Sequence, residues 1–285
     1  MKFASEPRSD REIPWLHAGY VFIGVSLIAR YAYLASGTIG LGEDEAYQWL
    51  WSKRLDWSYF SKPPLIAVAH FLGTGLWGDT EFGVRFLSPI LGALTGLLVL
   101  RFAAREAGPR AGFFAVVALG FTPMLAVGSV LMSVDALSVL FWTAAMICAW
   151  NAIQRDSTAW WMWCGLWTGM GFLSKCVALF QWVSLVLVFV LRPAARAQLR
   201  RPGPWLALAI NAVCAVPVVW WNWRHGWPTV AHLIERGNMD TPWRFTPKYL
   251  GEFLGSELGV LNPVFFFTSP SPSARGCSRT GSRPR

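Results

Sequence analysis

The chain is short of charge. Only 14% of its 285 residues are Asp, Glu, Lys or Arg, whereas an average soluble domain has about 25%. Hydrophobic residues make up 54% of the chain, and 18 residues are tryptophan. This composition excludes an ordinary soluble domain. Because long apolar runs recur along the whole chain, we expect a polytopic membrane protein, built of helices that satisfy their own backbone hydrogen bonds.

Cysteine is also scarce, and its placement argues against two kinds of stabilising site. Four of the five cysteines lie in or beside apolar runs, and the fifth is Cys277 near the end of the sequence. There is no Cys-x-x-Cys pair and no Cys/His ligand spacing, so neither a disulfide framework nor a zinc site is expected. Much of the net charge of +9 lies in short loops and in the final segment. That distribution is typical of membrane orientation, and no nucleic-acid partner is expected.

Seven apolar runs predict membrane-spanning helices, and an eighth begins near residue 250. The seven are 16–36, 86–105, 111–131, 135–153, 159–174, 176–191 and 205–223. As one helix, 159–191 would be about 50 Å long, too long for a hydrocarbon core of roughly 30 Å. We therefore predict two short helices hinged at "LSKCV", residues 173–177.

Arginine-rich loops predict the orientation. The positive-inside rule places the N-terminal segment 1–15 in the cytoplasm together with the loops 101–110, 154–158 and 192–204. The other face then holds 37–85, the surroundings of Asp135, the hinge at Lys175 and 224–249. The membrane domain is predicted to cover 16–267. The segment 268–285 is rich in Ser, Arg and Pro, and we predict that it is disordered.

Five separate segments bring ionisable side chains to that second face: Asp44 and Glu45, Lys62, Asp135, Lys175, and Arg224 with His225. Each has an ordinary explanation, because acids suit helix starts, lysines snorkel, and Arg and His suit an aromatic belt at the interface. Taken together, the cations can hold a phosphate, and a carboxylate can take a proton from an attacking hydroxyl. The set predicts a site for a negatively charged lipid headgroup.

Three cations have unusual surroundings in the sequence. Lys175 interrupts a 33-residue apolar stretch, and an ionisable residue in such a place is a functional candidate by default. Lys62 precedes Pro63 and Pro64, which restrict the backbone to a rigid, extended form. Arg30, about two turns before the end of the first span, is expected either to snorkel outward or to pair with one of the acids.

The ordered set "GEDEAYQWLW", "FSKPP", "GDTEFGVRFLS", "MSVDAL", "FLSK" and "WWNWRHGW" resembles the bacterial protein-mannosyltransferase-like group of GT-C glycosyltransferases. Lipid A aminoarabinose transferases and rhizobial galacturonosyltransferases belong to this group. The resemblance covers about 16–267. It implies an all-α, polytopic membrane helix bundle in the bacterial inner membrane, with amphipathic helices in the first outer loop. It also implies an inverting transferase that moves a sugar from a polyprenyl-phosphate donor to a lipid, glycan or protein at the periplasmic face.

The resemblance also implies roles for single residues. Asp44 would be the catalytic base, with Glu45 and Asp135 positioning the acceptor or a cation. Lys62 and Lys175 would bind the donor phosphate, and we predict that Arg224 and His225 bind it as well.

In the aminoarabinose branch a glutamate that helps to bind a metal precedes the lysine, but here the residue is Ser61. A divalent cation therefore stays open as a cofactor. Family members are also longer than this chain. Two alternatives remain: a lipid-linked-sugar flippase, which would have polar residues at mid-membrane depth and broken helices, and an inactive truncated fragment of the transferase.

Overall fold

A computed structural model describes residues 13–237 and 247–260. Within these ranges the protein is all-α, as predicted. The helices are α1 (Ile13–Ala35), α2 (Glu43–Ser52), α3 (Leu65–Trp77), α4 (Glu81–Arg85), α5 (Leu87–Ala107), α6 (Pro109–Phe121), α7 (Pro123–Gly128), α8 (Val134–Arg155), α9 (Thr158–Ser174), α10 (Phe180–Leu191), α11 (Pro193–Arg196), α12 (Pro202–Arg224), α13 (Pro228–Arg236) and α14 (Pro247–Val260).

Four helical segments have the length and apolar composition needed to cross a membrane: Pro14–Ala35, Glu81–Ala107, Val134–Arg155 and Pro202–Arg224. Shorter apolar helices lie between them, at Leu65–Trp77, Pro109–Phe121 and Cys176–Leu191. The polytopic helix bundle is thus confirmed. Of the predicted eighth span, α14 covers the start; residues 1–12 and the predicted tail 268–285 lie outside the described residues.

The predicted hinge at Lys175 is confirmed. Helix α9 ends at Ser174, and Lys175 has an extended backbone, with φ −154° and ψ 127°. A 3-10 turn, Cys176–Leu179, then leads into α10. The two short helices form where a single one would be too long for a bilayer.

The prediction of one continuous span over 111–131 is wrong. Helix α6 ends at Phe121, and a separate short helix begins at Pro123. Proline has no N–H to donate to the preceding turn, and it forces the residue before it out of the helical region. Thr122 accordingly has ψ 118°.

The first loop contains more structure than was predicted. Helix α2 is amphipathic in an unusual sense, because it buries Glu45, Gln48 and Ser52 while Tyr47 and Leu50 are exposed. Such a helix suits a membrane interface, with apolar side chains turned away from the protein. The prediction did not resolve α3, whose buried side chains include Ile66 and His70.

Small residues set the packing of the second half. A side chain on Gly165 would collide with the backbone at Ala207, and a Cβ on Gly169 would lie 2.6 Å from the Cys214 sulfur. Glycine thus lets α9 and α12 approach closely, as small residues do between membrane helices. The neighbouring core buries Trp161, whose Nε1 donates to Gln198 at 3.2 Å.

Contacts between their termini show that the apolar helices α1, α5, α6, α8, α9, α10 and α12 alternate in direction along the chain, so their ends form two layers. We call the layer with Ala35, Leu87, Val134 and Ser174 the site end. The layer with Ala107, Pro109, Arg155 and Pro202 is the arginine end. The hydroxyl of Tyr31 on α1 donates to Phe86 O at 2.9 Å and joins two helices at the site end.

Candidate active site at one end of the bundle

A buried ion pair between Glu45 and Arg85 anchors the site end. Arg85 Nε lies 2.8 Å from Glu45 Oε1, and Nη2 lies 2.6 Å from Oε2. The side chains are only 7% and 3% exposed, respectively. Arg85 also donates to the carbonyls of Ile39 and Gly40, both at 2.8 Å. This two-pronged geometry is the strong form of a carboxylate–arginine contact.

Glu45 accepts two further bonds from the backbone. Gly42 N donates to Oε2 and Met132 N donates to Oε1, each at 3.0 Å. The first of these closes the N-terminus of α2, the capping role that the ordinary explanation assigns to these acids. Each oxygen of Glu45 thus holds two protein donors. The residue ties α2 and α4 to the residues just before α8, and so it positions its neighbours.

These contacts keep Glu45 ionised. Burial alone would raise the pKa of Glu45. The hydrogen bonds from Arg85, Gly42 and Met132, together with the charge of Arg85, outweigh burial and hold that pKa below its ordinary value.

Asp44 is in the opposite situation. Its side chain is exposed, and within 13–237 and 247–260 it has no hydrogen bond or ion pair. Because the next residue is the anchored Glu45, the backbone that carries Asp44 is held in place while its carboxylate stays free. A free carboxylate on a fixed backbone is what a general base requires.

Asp135 and Lys175 meet directly. Lys175 Nζ lies 2.6 Å from Asp135 Oδ1, and the two side chains are 31% and 40% exposed. Ser133 caps α8, since its hydroxyl accepts from Asp135 N at 3.2 Å. The carboxylate of Asp135 is thereby left for Lys175.

Lys62 completes the group. Its carbonyl accepts from Tyr59 N at 3.1 Å, and the Tyr59 ring stacks on Trp51 with 4.7 Å between centroids. Lys62 is half-buried. Burial lowers the pKa of Lys62, and the charges of Lys175 and Arg236 lower it further, while Asp135 and Asp44 act in the opposite direction.

The charges of four side chains thus act on Lys62, and we call Lys62, Asp44, Asp135, Lys175 and Arg236 the charged cluster. The fold brings together four of the predicted site residues. Arg236, at the end of α13, was missed, although it lies within the segment 224–249 predicted to face the same side. The feature of the sequence that could have indicated Arg236 is a basic residue in the last turn of a short helix with apolar side chains along one face.

Arg224 and His225 lie differently. The Arg224 guanidinium stands 4.9 Å above the Trp220 ring, and the His225 ring stacks on Trp221 with centroids 4.2 Å apart. His225 Nδ1 is 2.8 Å from Trp221 O. Arg224 is not among the charges that act on Lys62 within the described residues. These contacts are those of an aromatic interfacial belt, and the predicted role in phosphate binding stays a prediction.

Whether the site could hold a metal ion depends on the side chains that surround it. In the part of the chain that the structure describes, no group of three His, Cys, Asp or Glu side chains is placed to hold a metal ion. Ser61 stands beside Lys62 where the aminoarabinose branch has a glutamate. Within 13–237 and 247–260, the His, Cys, Asp and Glu side chains therefore supply no ready set of metal ligands.

The family model of dolichyl-phosphate-mannose-protein mannosyltransferases matches residues 61–221, which is more than half of the chain and includes Lys62, Asp135 and Lys175. The chain belongs to this family.

The chain is also similar to two curated relatives. It is 32% identical to the lipid A galacturonosyltransferase RgtD of Rhizobium johnstonii over 79% of this chain and 47% of that protein. It is 30% identical to the undecaprenyl phosphate-α-4-amino-4-deoxy-L-arabinose arabinosyl transferase of Aeromonas salmonicida, over 72% of this chain and 36% of that protein. The chain thus spans half or less of the length of these relatives.

Two solved structures share the fold. The crystal structure of ArnT from Cupriavidus metallidurans bound to undecaprenyl phosphate has a TM-score of 0.64 and 22% identity, over 75% of this chain and 43% of that one. Its apo structure has a TM-score of 0.63 over 87% of this chain and 49% of that one. At this identity the likeness concerns the fold alone.

Proposed function

We propose that this chain acts as an inverting membrane glycosyltransferase, with a polyprenyl-phosphate sugar as donor and a lipid, glycan or protein as acceptor. The observation that carries the proposal is the charged cluster, in which Asp135 contacts Lys175 and the charges of four side chains from separate segments act on Lys62. The named relatives support it, because one is a lipid A galacturonosyltransferase and others use undecaprenyl-phosphate aminoarabinose.

The cations suit the donor. The bond between the anomeric carbon and the phosphate oxygen breaks, the polyprenyl phosphate leaves with its electron pair, and the developing negative charge needs nearby positive groups. Lys62, Lys175 and Arg236 supply three such groups, and charge-assisted bonds to phosphate are among the stronger hydrogen bonds. Asp135 orients Lys175 through the 2.6 Å contact, so that the ammonium is held in place before the phosphate arrives.

The carboxylate of Asp44 suits the acceptor. A hydroxyl is a poor nucleophile while it keeps its proton. As the acceptor oxygen forms its bond to the anomeric carbon, Asp44 takes the hydroxyl proton and the phosphate departs from the opposite side. A single displacement of this kind inverts the anomeric carbon, and general-base assistance is worth typically about 10²–10⁴-fold.

Replacing Asp44 by Asn tests the proposal. Gly42 is the N-cap of α2 and Glu45 completes the capping box, so Asp44→Asn removes no cap, and the variant should insert normally and still bind undecaprenyl phosphate. Sugar transfer by the full chain in membrane vesicles, followed as release of undecaprenyl phosphate, should fall by about 10²–10⁴-fold.

The matched control is Asp79→Asn, which removes an exposed acid of the same loop that pairs with Lys53. It should leave transfer unchanged. Near wild-type transfer by Asp44→Asn would make that residue an ordinary acid at a helix start. No transfer by the unaltered chain, with lipid binding intact, would favour the alternative of an inactive fragment.

We further propose that the site end faces the periplasm across the bacterial inner membrane. The arginine-rich loops at the opposite end support this orientation through the positive-inside rule. Ala197 is exposed among those arginines, so Ala197→Cys should resist an impermeant thiol reagent in intact cells and react after lysis. Labelling from outside would reverse the proposed orientation.

The flippase alternative is less well supported. Interruptions at Thr122–Pro123 and at Lys175 agree with it, but the charged cluster gathers at one end of the bundle, and a flippase needs polar groups along a transmembrane path.

A further inference from the structure

A narrow, largely apolar cleft opens beside the charged cluster. It runs between α1, α5, α6, α7 and α8, and apolar side chains such as Phe22, Val116 and Met124 line it. Its polar lining comes largely from residues near the site end, namely Arg30, Ser129 and Asp135. A pocket with apolar walls and a few convergent polar groups is the usual form of a ligand site.

Arg30 is the unusual member of this lining. It lies five residues before the end of α1, roughly 8 Å along the axis. Space for its guanidinium comes from Gly92, where a Cβ would lie 3.2 Å from Nη1 and would also collide with Ser129. Within the described ranges Arg30 has no ion pair and no hydrogen bond. The predicted pairing with an acid is therefore absent there.

The charges around the cleft do not balance. Asp135 is the acid in the lining, and its carboxylate already pairs with Lys175. The other arginine of this region, Arg85, has Glu45. An unmatched cation beside apolar walls is costly in a membrane segment, and such residues usually mark a ligand path. Arginine is also the side chain best suited to a phosphate or carboxylate.

We infer that this cleft binds the acceptor, and that the acceptor is an anionic lipid. One apolar chain lies between α1, α5 and α6, and the acidic headgroup contacts Arg30. The inference rests on the proposed function and adds to it the class of acceptor.

The position of Asp135 decides between acceptor and donor. This carboxylate lines the cleft with Arg30 and also binds Lys175, which belongs to the cations assigned to the donor phosphate. Lys62, Lys175 and Arg236 are absent from the lining of the cleft. Two amphiphilic substrates need two apolar approaches that meet at the reacting groups, and the cleft provides the approach that the donor cations leave open.

Binding of two lipids to the full chain in neutral phosphatidylcholine nanodiscs tests the inference. The acceptor probe is n-hexadecyl phosphate, measured with undecaprenyl phosphate present at saturation, and the donor probe is undecaprenyl phosphate alone. Arg30→Gln should weaken hexadecyl phosphate by about tenfold or more, the loss of one charge-assisted bond. Gly128→Leu should weaken it too, because Gly128 lines the cleft and a Cβ there meets no atom within 4 Å. Neither change should affect undecaprenyl phosphate.

Matched variants control for insertion and for charge. Gly24→Leu adds the same side chain to α1 at a glycine that also has open space but does not line the cleft. Arg110→Gln removes an arginine at the opposite end, where it stacks on Trp15 and Phe114. Both should bind hexadecyl phosphate like the parent chain, and hexadecanol, which has no charge, should be insensitive to Arg30→Gln.

Three results would overturn the inference. Unchanged hexadecyl phosphate binding in Arg30→Gln and Gly128→Leu would make Arg30 a snorkelling anchor. Weaker undecaprenyl phosphate in these variants would assign the cleft to the donor. Equal losses in Gly24→Leu would indicate a general disturbance of α1. The proposed function fails separately, if Lys175→Met leaves undecaprenyl phosphate binding unchanged.

Discussion

The two ends of the helix bundle both carry many charges, but the charges find different partners. At the arginine end, cations stack on aromatic rings or bond to nearby groups: Arg155 lies over Trp160, Arg192 over Trp150, and Arg105 pairs with the adjacent Glu106. At the site end, the central ion pair is buried and bonded to several segments. Glu45 joins Arg85 and Met132, 40 and 87 residues away, and Trp221 donates to Asp56, 165 residues away.

The contacts at the arginine end anchor helix ends at an interface, whereas the buried contacts at the site end hold the site together. Exposed pairs and cation–aromatic contacts are individually weak, and they position a helix end at an interface without requiring much of the fold. A buried pair such as Glu45–Arg85 requires a complete set of partners, because an unpaired charge in that place would be very costly. Four further predictions test this difference, from the largest effect to the smallest.

Removing Glu45 should have the largest effect on stability. Glu45→Ala leaves the Arg85 guanidinium buried without its carboxylate, which costs about 3–5 kcal/mol. The matched change at the arginine end is Glu106→Ala, which frees Arg105 from an exposed pair and should cost less than about 1 kcal/mol. Reversible unfolding in mixed detergent micelles measures both. Equal costs would mean that the buried pair at the site end and the exposed pair at the arginine end contribute equally to stability.

The same residue should make stability depend on pH. Because the pKa of Glu45 in the folded chain lies below its ordinary value of 4.5, the carboxylate stabilises the fold at all pH values above the unfolded pKa. That contribution is lost as pH falls through the folded pKa. Glu45→Gln should flatten the acid side of the profile, whereas Arg110→Gln, which removes no carboxylate, should leave it unchanged. If Glu45→Gln loses as much stability at low pH as the parent chain does, another group causes that loss.

Lys175→Met should weaken the binding of undecaprenyl phosphate by about tenfold or more, the loss of one charge-assisted bond. Arg192→Gln, which removes a cation from the opposite end, should bind the lipid normally. Binding in nanodiscs checks both variants, after proteolysis or fluorescence shows correct insertion. If both variants lose affinity equally, general electrostatic attraction to the bilayer explains the binding.

Arg110→Gln should have the smallest effect. The guanidinium stacks on Trp15 at 5.5 Å and on Phe114 at 5.8 Å, and an exposed cation–π contact is worth about 0.5–1 kcal/mol. The same unfolding assay measures the loss. A cost near that of Glu45→Ala would contradict the division between the two ends.

The predicted helices agree with the structure where local patterns are sufficient. The break of the long apolar stretch at Lys175 follows from the thickness of a bilayer, which any sequence of this hydropathy must match. The interruption at Thr122–Pro123 was readable from the proline, but the surrounding run is apolar enough to suggest a single span. Helix α3 was missed because its apolar residues lie in a segment assigned to a surface loop.

The roles of individual acids depended on more than local pattern. Asp44 and Glu45 are adjacent acids at one helix start, and either one suits a cap or a base. The fold turns Glu45 inward to Arg85, Gly42 and Met132, and leaves Asp44 exposed beside Lys62. Successive residues of a helix point about 100° apart, so the packing of α2 decides which of the two is buried.

By itself, the sequence determined the membrane character of this protein, its helices, the hinge at Lys175 and the face on which most of the charged cluster lies. These properties follow from hydropathy, proline placement and charge along the chain, all of which act over a few residues. The tertiary structure decided that Glu45 is buried, that Asp135 pairs with Lys175, that the charge of Arg236 acts on Lys62, and that Arg30 lies in an apolar cleft with Asp135. Such pairings depend on distances of a few ångströms between segments tens to hundreds of residues apart, and only the packing of the helices sets those distances.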